Sequence, residues 1–172
     1  SRPKETAALP TSKARDLVVR DGLAYVADEE LTGTTGGLRI FDVSGGGRPA
    51  LLAHYDECDS AVGVAIDDGL AVLACVDRTF HVLDVSEPGA PAKIGSWPAP
   101  EGESAQSVAL ADGLAYFGTT IGLTVVDVAD PTSPALVAET PAAWGPRQLR
   151  VDRDGHVLAA AALAGVYEWA LE

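Results

Sequence analysis

Residues 21–28 read DGLAYVAD, and the same phrase returns as DGLAVLAC at 68–75, DGLAYFGT at 112–119 and DGHVLAAA at 154–161. Asp-Gly between two alternating apolar runs predicts a tight hairpin, because a type I′ turn needs φ > 0 at both central residues. The run ahead of each pair (ARDLVVRD, AVGVAIDD, AQSVALAD, RQLRVDRD) has the period-two pattern of a strand. Each phrase therefore joins two antiparallel strands, A and B. The interval is 42 to 47 residues, which makes the hairpin the unit of an internal repeat.

A second phrase follows each hairpin: GLRIFDV, TFHVLDV, GLTVVDV and GVYEWAL place Asp42, Asp84, Asp127 and finally Ala170 in register. It supplies strand C. A third phrase (RPALLAHYD, APAKIGSWP, SPALVAETP) opens at Pro49, Pro91 and Pro134, where Pro suits the first residue of an edge strand, and supplies strand D. Its fourth member is the N-terminal RPKETAALP with Pro3. Four strands repeated every ~43 residues predict an all-β chain of about sixteen strands, folded as a β-propeller of four four-stranded blades. The single domain spans 1–172, with blades near 14–56, 61–98, 105–141 and 147–171 plus 3–9. Residues 3–9 are expected to close the ring by pairing with 165–171. The alternative is half of an eight-bladed ring, made by two strand-exchanging chains or by a longer protein.

The pattern DGLAYVAD, then GGLRIFDVS, then PALL resembles the LVIVD repeat of bacterial and archaeal surface proteins. The resemblance covers nearly the whole chain, apart from an insertion through Glu29–Gly36 and a last unit without the Asp-Val-Ser ending. It implies a β-propeller and an extracellular or cell-envelope location in bacteria. It implies no common activity and no catalytic residues.

Composition narrows the function further. With 25 Asp plus Glu against 12 Lys plus Arg, the formal net charge is -13, which opposes nucleic acid and anionic membranes. No apolar run reaches the ~18 residues of a membrane span. The chain contains no Met, so a processed or excised product is expected. No cofactor is expected.

The D-to-A and B-to-C connections gather on one face, the top, and bring there Asp28, Glu29, Glu30, Asp56, Glu57, Asp59, Asp77, Glu101 and Glu103 against Lys13 and Arg78. Such oxygens could hold Ca²⁺, but no calcium-loop spacing is present, and a solvated acidic face is the favoured reading. Cys58 and Cys75 map to the top edge of one blade, either as a disulfide or as a free thiol and a small buried hydrophobe. Trp144, in a D-to-A connection, offers a stacking surface for a ligand, whereas Trp97 aligns with Tyr55 and reads as a packing position. Candidate ligand residues are thus Trp144, Trp97, Glu101, Glu103, Asp56 and Asp59. His54, His81 and His156 are too scattered for a metal pair. Ser44 and Ser86 are expected to bond the turn backbone, and Asp42, Asp84 and Asp127, once per blade, read as architectural. Arg15, Gln106, Gln148 and Arg150 are placed to line a central channel.

These readings favour a non-catalytic binding or scaffolding module that presents loops to a protein or carbohydrate partner, as a monomer or a strand-exchanged homodimer. The alternatives are a propeller enzyme with an acid or metal site at the channel mouth, and a structural assembly repeat.

Overall fold

The computed structural model describes residue 8 and residues 10–31, 35–45, 47–99, 101–141, 145–152, 156–161 and 165–169. Blade one consists of β1 (Ala14–Arg20), β2 (Leu23–Asp28), β3 (Gly37–Asp42) and β4 (Ala50–Tyr55). Blade two is β5 (Ala61–Asp67), β6 (Leu70–Cys75), β7 (Thr79–Asp84) and β8 (Ala92–Pro98). Blade three is β9 (Ala105–Ala111), β10 (Leu114–Thr119), β11 (Gly122–Asp127) and β12 (Ala135–Pro141). Blade four is β13 (Pro146–Val151), β14 (Val157–Ala161) and β15 (Gly165–Trp169). Every sheet is antiparallel in sequence order, and the four sheets are four successive blades of a β-propeller, without any helix among the described residues. The N-terminal strand expected to close the ring, and the Asp154-Gly155 turn, lie outside the described residues.

The hairpins are built as the Asp-Gly pairs require. Asp21, Asp68 and Asp112 have φ of 51°, 39° and 51°, and the glycines after them have φ of 77°, 77° and 75°. The repeated Asp-Val-Ser phrase then locks onto that turn. The Val43, Val85 and Val128 amides donate to the carbonyls of Gly22, Gly69 and Gly113, each at 2.8 Å. Asp42 Oδ1 accepts the Ser44 amide at 2.8 Å and its hydroxyl at 2.6 Å, and Asp84 holds Ser86 in the same way. The serine hydroxyls thus bond a carboxylate and not the turn backbone, because an ionised oxygen is the stronger acceptor. Pairing of the D strands begins one residue after each proline, at Ala50, Ala92 and Ala135, since Pro has no N–H to give the ladder.

Alternation along β2, β6 and β10 sends successive residues to opposite faces, and those faces form the core between blades. Tyr25, Leu38 and Ile40 of blade one pack with Val64, Leu73 and Leu83 of blade two. Val72, Phe80 and Val82 of blade two pack with Val108, Phe117 and Val126 of blade three, where Phe80 and Phe117 stack with centroids 3.6 Å apart. Tyr116, Leu123 and Val125 of blade three pack with Leu149, Val157 and Ala159 of blade four. The inner strands follow the same series, β1 on β5, β5 on β9 and β9 on β13. β13 and β1 do not pack on one another in this way among the described residues.

Candidate functional site: an axial cavity lined by bulged residues

Each inner strand carries one irregularity near its start. The pairing steps from Ala14 to Asp16, Ala61 to Gly63, Ala105 to Ser107 and Pro146 to Gln148, leaving Arg15, Val62, Gln106 and Arg147 unpaired. A β-bulge frees a residue from strict alternation and re-aims its side chain. All four bulge residues line one cavity of about 300 Å³ on the propeller axis, together with Ala14, Asp16, Ser107, Gln148 and Arg150 among others. Arg15, Gln106, Gln148 and Arg150 therefore lie where the sequence placed them. Arg147 was missed, because an extra residue inside an alternating run looks in sequence like a continuation of it.

The cavity is rich in donors and poor in bases. Its carboxylate, Asp16, is engaged by two backbone amides, Leu17 at 2.9 Å and Val64 of the next blade at 3.1 Å. The Ser107 hydroxyl donates to the Pro146 carbonyl at 2.9 Å, tying blade three to blade four. Arg150 donates to the neighbouring Leu149 carbonyl at 2.7 Å, and Arg15 Nε lies 3.4 Å from Glu29, a carboxylate shared with Lys13 at 2.9 Å. Arg147 makes no ion pair among the described residues. A guanidinium holds its charge and its planar set of donors at any working pH, so this lining is built to hold acceptors.

A second polar cluster lies at the top between blades one and two. The Thr79 hydroxyl donates to Asp77 at 2.6 Å, so the His81 Nε2–H donates to Thr79 Oγ1 at 3.1 Å, while the Tyr55 hydroxyl lies 2.8 Å from Nδ1 and 3.5 Å from Glu57 Oε2. Both ring nitrogens are thus engaged. Burial, then the Lys93 ammonium, holds the His81 imidazole below its ordinary value of 6.5. Burial, then the Glu57 carboxylate, pushes the Tyr55 phenol up. Lys93 pairs with Glu57 at the rim of the cluster.

The same top face shows one register position used in three ways. Asp28, Cys75 and Thr119 end the B strands of successive blades. Asp28, placed by the sequence among solvated acids, is instead buried. It accepts from Ser12 and Lys13 amides at 2.8 and 2.6 Å and from Arg39 at 2.7 Å. Burial pushes its carboxyl up, but the bonds from Ser12, Arg39 and Lys13 outweigh burial and hold it below its ordinary value. Cys75 is joined to Cys58 of the preceding connection, with Cα atoms 5.8 Å apart. Thr119 donates to the Gly122 carbonyl at 3.3 Å.

The remaining candidates do not gather. Trp97 packs against the core between blades two and three and stacks on Phe80, with centroids 5.6 Å apart. Glu103 is buried and accepts from Thr124 at 3.3 Å, while Asp56 and Asp59 are exposed on the β4–β5 connection and Glu101 is exposed on the β8–β9 connection. Trp144 lies outside the described residues. No group of three His, Cys, Asp or Glu that would hold a metal occurs among the described residues. No helix among them is long and apolar enough to cross a membrane.

The LVIVD repeat pattern matches residues 12–57, 60–98 and 102–140, and the chain belongs to the LVIVD repeat family. Compared with curated protein sequences, it finds no match. Among solved structures it is similar to the computationally designed Ika4 protein, with a TM-score of 0.75 at 15% identity, covering 99% of this chain and 100% of that one. It is also similar to a protein from Lactobacillus plantarum, with a TM-score of 0.77 at 18% identity over 95% of this chain and 53% of that one. The WD40 β-propeller domain of Doa1 aligns with a TM-score of 0.70 at 16% identity, over 92% of this chain and 51% of that one. The chain thus spans the whole of the first structure and about half of the other two.

Proposed function

We propose that this chain is a non-catalytic binding propeller of the bacterial cell surface, whose axial cavity receives an acidic group of a protein or glycan partner while the surrounding loops contact the rest of it. The observation that carries this reading is the bulge-directed lining: Arg15, Gln106 and Arg147 meet at the axis with Gln148 and Arg150. Asp16 and Ser107, the groups there that would serve as base or nucleophile, are both committed to backbone bonds. The cationic lining stands against a net charge of -13 for the chain, a local reversal that selects an anionic group and repels other acidic surfaces. Location at the surface is supported by membership of the repeat family and by the Cys58–Cys75 bridge, since disulfides persist in oxidising compartments.

Calorimetric titration with an acidic oligosaccharide, oligogalacturonate, and with a neutral one of equal length tests the proposal. The acidic ligand is expected to bind and to lose at least ~10-fold in affinity when Arg15 and Arg147 are both replaced by Gln, with the neutral one inert. Equal binding of both, or binding unchanged in the double variant, would remove the axial site from the function.

A further inference from the structure

We propose that two copies of this chain associate head to tail and complete one eight-bladed ring, blade four of each copy seating on blade one of the other. The strand register makes the argument. Tyr25, Val72, Tyr116 and Leu158 occupy one position of the B strand, and Leu38, Phe80, Leu123 and Val166 occupy one position of the C strand. In blades one to three these side chains face the next blade and are at most 5% exposed. In blade four, Leu158 is 39% and Val166 75% exposed.

The opposite end of the chain shows the complementary defect. Leu17, Val64, Val108 and Leu149 share a position on the inner strand, facing the preceding blade. Val64, Val108 and Leu149 are at most 4% exposed, yet Leu17 is 54% exposed and Val19, two residues on, 61%. Further out on blade one, Ala24, Val26 and Phe41 are already buried in a separate cluster, so the open strip runs along β1. Polar contacts agree. Asp16 and Ser107 each bond the inner strand of the following blade, and Gln148, at their register position, is exposed and makes no such bond among the described residues.

What fits each face is therefore another blade of this repeat, and a second copy carries both faces. A head-to-tail contact closes only when the arc divides the circle. Within one copy β13 and β1 do not pack on one another among the described residues, so the arc is open, and a head-to-tail pair closes it with two identical junctions.

Sedimentation equilibrium of the 172-residue chain is expected to give twice the chain mass of 17.7 kDa, with the dimer tightening as salt screens the repulsion between two chains of charge -13. Val166→Glu and Val19→Glu alter exposed side chains, so each is expected to keep the circular dichroism of the parent and raise the dimer dissociation constant at least ~10-fold. A monomer up to millimolar concentration, open polymers, or a dimer indifferent to both substitutions would each overturn the proposal. The outcome is independent of the acidic-ligand titration, which reads Arg15 and Arg147 at the axis.

Discussion

At the scale of the residue, the Asp-Gly turns show how little freedom a repeat leaves where the backbone turns left-handed. A Cβ at Gly113 would sit 3.2 Å from the Ala129 Cβ at φ of 75°. Gly113→Val is therefore expected to destabilise by more than ~1 kcal/mol, since a β-branched residue resists positive φ. An unchanged denaturant midpoint would contradict the turn. His81 makes a sharper test, because both its nitrogens are spent inside the protein. Its folded pKa lies below the unfolded 6.5, so the unfolded chain binds the proton more readily. Stability from the neutral ring is complete above pH 6.5 and is lost as pH falls from there through the folded value. Melting temperature should decline on that acid limb, and His81→Asn should flatten the decline; parallel profiles for parent and variant would refute the assignment.

At the scale of the element, strands and hairpins were readable because alternation and turn chemistry are local. Asp-Gly, Asp-Val-Ser and the prolines each act within a few residues, and each recurs. The bulges at Arg15, Val62, Gln106 and Arg147 were not readable, because a bulge is defined by its partner strand and leaves no mark on its own sequence. Asp28 was misplaced for a related reason. Its burial depends on amides of Ser12 and Lys13 and on Arg39, three donors that only the folded sheet brings together. The same register position holds Cys75 in blade two, and there the element-scale prediction lies. The bridge to Cys58 closes a separation of 17 residues, and chain-entropy reasoning gives it roughly 3 kcal/mol of stabilisation. Thiol titration of the denatured, unreduced protein should find no free thiol, and reductant should lower the melting temperature of the parent but not of a Cys58→Ser, Cys75→Ser double variant. Two titratable thiols would leave the pair without a structural role.

At the scale of the whole molecule, the blades are joined by faces and not by a continuous core, so each blade depends mainly on the blades packed beside it. The apolar positions that face the next blade are filled by Tyr, Leu, Ile, Val and Phe in turn, and the exchange is tolerated because each face needs only to match the one opposite. The bulge residue answers to a different constraint. It falls outside the strand ladder, and its side chain lines the cavity, although Val62 also packs in the cluster between blades two and three. When a gene segment encoding one blade is duplicated, every other position of the copy is held back by the partner it must fit, whereas this one position is released. Arginine, valine, glutamine and arginine now stand there in the four blades. A lineage of such duplications thus inherits its scaffold as a fixed text and its axial chemistry as one letter per blade, free to be rewritten without disturbing the fold that displays it.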